Sequence, residues 1–122
     1  MAIRDDITAD DDLYTGEDKS LVFTVYQSDG TTPQNITGWA LSYRWKRKAS
    51  DPDTAAVLTK TTASGIALTT PATGICTVTI DDTDTDNLAP QTYVHELKRT
   101  DAGSETVLTT GTVLLQRAIH RA

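Results

Sequence analysis

The ten residues "WALSYRWKRK", beginning at Trp39, alternate apolar and polar side chains. Trp39, Leu41, Tyr43 and Trp45 point one way; Ala40, Ser42, Arg44, Lys46 and Lys48 point the other. A period of two places one set on a core and the other in water, and only a β-strand has that period. The same pattern recurs in "SLVFTVYQ", where Leu21, Phe23 and Val25 oppose Val22, Thr24 and Tyr26. It recurs in "ICTVTID", with Cys76, Val78 and Ile80 inward, and in "TYVHELKRT", with Tyr93, His95 and Leu97 on one face. "AVLTKTT" and "GIALTT" read as shorter strands. "TVLTTGTVLLQRAI" reads as a last strand or strand pair, with a bulge or bend at Gly111. Asp29-Gly30 with Pro33, the "PATG" segment and "DAGSE" supply turns. No window has the i, i+3, i+4, i+7 spacing of a long amphipathic helix. About seven to eight short strands in this length predict an all-β chain, a single antiparallel β-sandwich over residues 19–122. Residues 1–18 are polar with isolated apolar points and predict an N-terminal acidic arm, with room for a short edge strand. The predicted core is Leu21, Phe23, Val25, Trp39, Leu41, Tyr43, Trp45, Cys76, Val78, Leu88, Tyr93 and Leu97.

Composition supports one domain of this kind. A chain of 122 residues suffices for one core without metal or disulfide staples. Threonine occurs 23 times, which suits a half-exposed pleated surface. The net charge of −6 is poorly matched to nucleic acid, which needs a basic face. No apolar run approaches the ~20 residues of a membrane-spanning helix. The start, "MAIRDDITADDD", lacks the apolar stretch of a secretory signal. Lone Cys76 has no partner for an internal disulfide and reads as a small buried hydrophobe. These features predict folding in a reducing cytoplasm.

The segment "DDTDTD", residues 81–86, holds four aspartates in six positions and invites a calcium reading. Aligned from Asp82, an EF-hand loop needs Gly at its sixth position and a bidentate acid at its twelfth. The chain has Asn87 and Tyr93 there. A looser oxygen cage on Asp81, Asp82 and Asp84 is the remaining metal reading. The structural alternative accounts for more residues. Thr83 or Asp84 caps one helical turn through Asp86, Asn87 and Leu88; Leu88 plugs the core, Pro90 ends the turn, and Tyr93 opens a strand.

No catalytic constellation is visible. His95 and His120, with Cys76, lack zinc-ligand spacing. Ser20, Ser28, Ser42, Ser50, Ser64 and Ser104 lack a G-x-S-x-G context, and no phosphate loop or dinucleotide fingerprint occurs. Asn35-Ile36-Thr37 matches a glycosylation sequon, which a cytoplasmic chain leaves unmodified. The Trp39, Tyr43, Trp45 stripe has two readings: a sandwich core, or a stacking platform for a sugar. The core reading is favoured by Leu41, which shares their face. No cofactor and no metal is expected.

The stretches "TGEDKSLVFTVYQSDGTTPQNITGWALSYRW" and "GIALTTPATGICTVTIDDTDTDNLAPQTYVHELKRTDAGSETVLTTGTVLLQ" carry a resemblance. Their order is an opening strand, a D-G loop, "NITGW", a mixed strand, "GICTVTI", an acidic turn, "YVHEL" and a closing "GTVLL". It resembles the immunoglobulin-like sandwich of tailed-phage virion proteins, nearest to the N-terminal domain family of phage baseplate upper proteins. "LAPQTY" resembles the tyrosine corner of immunoglobulin-like domains. The resemblance implies a non-enzymatic structural part of a bacteriophage particle: a tail, baseplate, neck or head-decoration module. Its partners would be other phage structural proteins and further copies of itself, with no nucleic acid and no membrane. It would reside in the virion after synthesis in the host cytoplasm. The alternative class is a small carbohydrate-binding module, and exposure of Trp39 and Trp45 discriminates the two.

Charge is segregated: residues 1–20 hold seven acids, whereas Arg44, Lys46 and Lys48 line one strand. Unlike patches suit contacts between neighbouring copies. The candidate assembly residues are therefore Ile3, Ile7, Leu13 and Tyr14 as apolar anchors of the arm, with Arg44, Lys46 and Lys48 among its possible targets; the alternative reading is a disordered, solvated arm.

Overall fold

The alternating runs become strands. The computed structural model describes residues 2–5 and 13–117. In chain order these form β1 (Ala2–Asp5), β2 (Leu13–Tyr14), β3 (Lys19–Tyr26), β4 (Leu41–Lys46), β5 (Leu58–Thr61), β6 (Ile66–Thr70) and β7 (Ile75–Ile80). A one-turn helix, α1 (Asp82–Thr85), then leads to β8 (Gln91–Arg99) and β9 (Thr106–Gln116). The protein is all-β. One sheet has the order β1-β3-β7-β6 and the other β2-β9-β8-β4-β5.

The two sheets face each other across one core. Phe23 of the first sheet and Tyr43 of the second meet with ring centroids 5.6 Å apart. Trp45 stacks on Tyr93 at 5.6 Å within the second. Inward positions follow the alternation: Leu21, Phe23 and Val25 on β3, Cys76, Val78 and Ile80 on β7, and Tyr93, His95 and Leu97 on β8 are all buried. Fully burying side chains of this size stabilises by about 1.5–3 kcal/mol each, which is what holds the sheets together.

Several expectations are corrected. Not every pairing is antiparallel: β2 runs parallel to β9, with Leu13 opposite Leu115 and Tyr14 opposite Gln116. The short edge strand allowed for in the 1–18 segment is present in each sheet, β1 on β3 and β2 on β9. The irregularity in β9 is not at Gly111. Leu97 pairs with Thr109 and Lys98 with Val107, so the extra residue is Leu108, and the bulge turns it into the core. Trp39 precedes β4 and is only partly buried, as is Leu88. The core gains Ile36, fully buried from a loop. Asn35 accepts hydrogen bonds from the backbone N–H and hydroxyl of Thr37, an Asx turn that aims Ile36 inward.

The aspartates serve the turn. Asp81 is the N-cap of α1, in place of the expected Thr83 or Asp84. Asp84 accepts from the Asp81 backbone N–H at 2.7 Å, half of a capping box. Asp18 accepts from the Asp82 N–H at 2.8 Å. Lys60 Nζ on β5 lies 2.7 Å from Asp84 and 3.8 Å from Asp81, tying the turn to the opposite sheet. Thr85, 1% exposed, is the residue that α1 buries, and its hydroxyl accepts from Gly16 N–H. Tyr93 crosses behind this turn and donates its hydroxyl proton to the Ala89 carbonyl at 2.6 Å.

Candidate functional site

Inward residues of β4, β8 and β9 are spent on the core, so their alternate positions form the outer face of the five-stranded sheet. Strand register fixes the neighbours. Arg44 lies beside Glu96, which lies beside Thr110; Lys46 lies beside Val94, which lies beside Thr112. The chain after β4 turns back over this face. Pro52, held at φ −68°, starts a 3₁₀ turn over Asp53–Ala55 that presents the Asp53 carboxylate. Asp53 lies 2.8 Å from Lys46 Nζ and 3.4 Å from Arg44. Lys46 also donates to the Asp51 carbonyl at 3.0 Å. The Lys46 hydrogen bond and then the two positive charges hold the Asp53 carboxyl below its usual range.

Between the 49–53 loop and β9 lies an open recess of about 300 Å³. Arg44, Lys46, Ala49 and Asp53 form one wall, Thr110 and Thr112 the other, and Val94, His95, Glu96 and Gly111 line the floor. Gly111 is needed there. A Cβ on it would come within 3.0 Å of His95 Nε2, so the imidazole occupies the space a side chain would take. His95 itself is 4% exposed and belongs to a buried polar chain. Trp45 Nε1–H donates to the Tyr43 hydroxyl at 2.8 Å. The Tyr43 hydroxyl in turn lies within hydrogen-bonding distance, 2.7 Å, of His95 Nδ1. Further along the same face, Leu114 is 50% exposed and Tyr14 37% exposed.

The sequence-selected residues are thus partly gathered. Arg44 and Lys46 line the recess, and Tyr14 stands on the same face. Leu13 is 2% exposed in this chain's own core, so it cannot anchor a neighbour. Lys48 lies in the turn beyond β4, not on the strand face. Ile3 pairs through its backbone with Val25. Ile7 and His120 lie outside the described residues. Among the described residues, the carboxylate on Arg44 and Lys46 is Asp53. Sequence reasoning missed Asp53, Glu96 and Leu114; the one local signal was an acid in the loop following a basic strand.

Chemically, the face offers charges, hydroxyls and a few aliphatic side chains, Leu114 and Val107 the most exposed, for docking a partner. Cys76 is fully buried and its thiol is pushed up to about 11 by burial, which keeps it in the unreactive protonated form. Among the described residues, no group of three or more His, Cys, Asp or Glu side chains is placed to hold a metal ion. No helix among them is long and apolar enough to cross a membrane. Compared with known proteins, the chain matches no protein-family model, and no curated protein matches it.

Proposed function

We propose that this chain is a non-enzymatic structural component of a bacteriophage particle, a tail, baseplate, neck or head-decoration module that works through protein–protein contacts. The observation that carries the choice against a sugar-binding module is the fate of the tryptophans. Trp45 is fully buried, and Trp39 is packed against the core with the Arg99 guanidinium 4.0 Å over its ring. Stacking a sugar needs a bare aromatic face, and neither indole offers one.

The fold within this reading is an immunoglobulin-like sandwich. Two features support it: the strand order β1-β3-β7-β6 against β2-β9-β8-β4-β5, and the Tyr93-to-Ala89 hydrogen bond at the entry to β8. Both match the plan of that class, including its tyrosine corner. The phage assignment rests on the sequence resemblance. Mass spectrometry of particles purified from the cells that make the chain tests it. Recovery at a fixed ratio to the other particle proteins supports the assignment; consistent absence from intact particles sinks it.

A further inference from the structure

We infer that the outer face of the five-stranded sheet is self-complementary and pairs two copies of this chain about a two-fold axis. This rests on the assembly reading above and names the partner. Three observations carry it. First, Leu114 stands half exposed on β9 between outward-facing Thr112 and Gln116, with exposed Tyr14 beside it, while the face's other strongly exposed aliphatic residue, Val107, lies at the far end of β9 opposite Lys98. Second, the recess over Gly111 lies three residues back along β9, about 10 Å away at ~3.3 Å per residue. At about 300 Å³ it has room for an aliphatic side chain. Third, the charges at the recess balance, Arg44 and Lys46 against Asp53 and Glu96, on a chain whose net charge is −6. Two copies therefore approach with least repulsion through this face.

Knob and recess on one surface satisfy a two-fold contact, in which each copy gives what it receives. An axis lying in the interface and crossing β9 between Gly111 and Leu114 seats each Leu114 in the other copy's recess. Outward-facing Thr112 then lies close to its own counterpart. A five-stranded face is about 24 Å wide and, over six residues, about 20 Å long. The contact is thus on the order of 500 Å² per copy, below the ~800 Å² of a standard stable interface. A weak dimer is expected, strengthened when many copies are held together in one assembly.

The test is sedimentation of the full chain from micromolar to millimolar concentration, with circular dichroism to verify folding. Wild type should pass from one to two copies, and Leu114→Arg should weaken the transition by about tenfold or more. Leu114 is half exposed, so this substitution leaves the core intact; Thr110→Arg, which fills the recess, provides a second variant. Thr112→Cys should cross-link with a short bis-maleimide suited to the ~10 Å spacing of stacked sheets, and Ser104→Cys should not. Cys76 is fully buried and stays silent in this assay. A chain that remains monomeric throughout, or a dimer that both arginine variants leave intact, overturns the inference. A monomer found in purified particles would overturn this pairing alone, whereas a dimer absent from particles would leave the pairing and remove the phage role.

Discussion

Removing one hydroxyl from the core should cost far more at Tyr43 than at Tyr93. Tyr43→Phe deletes the acceptor of the Trp45 indole N–H, at 2.8 Å, and the contact with His95 Nδ1, at 2.7 Å. Trp45 is fully buried, so no water replaces that acceptor. An orphaned buried donor costs about 1–3 kcal/mol, and a lost hydrogen bond about 0.5–1.5 kcal/mol. The sum is about 2–4 kcal/mol, a large share of the ~5–15 kcal/mol that holds a typical domain folded. At roughly 4 °C per kcal/mol for a chain of this length, the melting temperature should fall by about 8–16 °C. Tyr93→Phe removes the same atom but strands only the Ala89 carbonyl, on an exposed residue that water can reach. It should cost only about 1 kcal/mol. Urea denaturation followed by tryptophan fluorescence measures both. If Tyr43→Phe proves no more costly than Tyr93→Phe, the buried chain from Trp45 to His95 does not stabilise this core as argued.

Truncating the tryptophans should separate them: Trp45→Ala by about 3–5 kcal/mol, and the half-covered Trp39→Ala by roughly half that or less, read from the same urea midpoints. Gly111→Ala should destabilise by about 1–3 kcal/mol, since its Cβ meets the His95 ring at 3.0 Å and the sheet must give way. Asp29 accepts from the Thr32 hydroxyl and from the Thr32 and Thr31 backbone N–H groups, which hold its carboxyl at about 2 against an ordinary 3.8. Its folded pKa is depressed, so its stabilisation is present above 3.8 and lost as pH falls through about 2. Asp29→Asn should therefore flatten the acid limb of a melting-temperature profile in that window; an unchanged limb counts against the turn's role. Millimolar calcium or a chelator should leave the melting temperature unchanged, because the Asp81 and Asp84 carboxylates are already engaged in the capping box and Asp84 is paired with Lys60. A clear rise with calcium would mean that the native state binds it.

Features that depend on neighbours a few residues apart were legible in the chain alone. Period-two alternation is a local property, so it marked β3, β4, β7 and β8 and the inward side of each. It made Phe23, Tyr43, Trp45, Cys76 and Tyr93 core residues before any partner was known. The same local chemistry marked residues 81–86 as a capped turn, because Asn87 and Tyr93 stand where a calcium loop needs other residues. Alternation failed where a side chain's surroundings come from elsewhere in the chain. Leu13 looked like an anchor for a neighbour because nothing nearby shows that β2 lies against Leu115. Ile36 looked like a loop residue because its cavity is built by distant strands. Trp39 sat in phase with Trp45, yet β4 begins only at Leu41. The bulge fell at Leu108 because the pairing of β8 with β9 is set across two strands, where Gly111 is required only by the His95 ring. The recess is wholly tertiary. It needs Arg44 and Lys46 from one strand, Glu96 from another, Thr110 from a third and Asp53 from a returning loop, and only the folded register brings those charges within reach of one another.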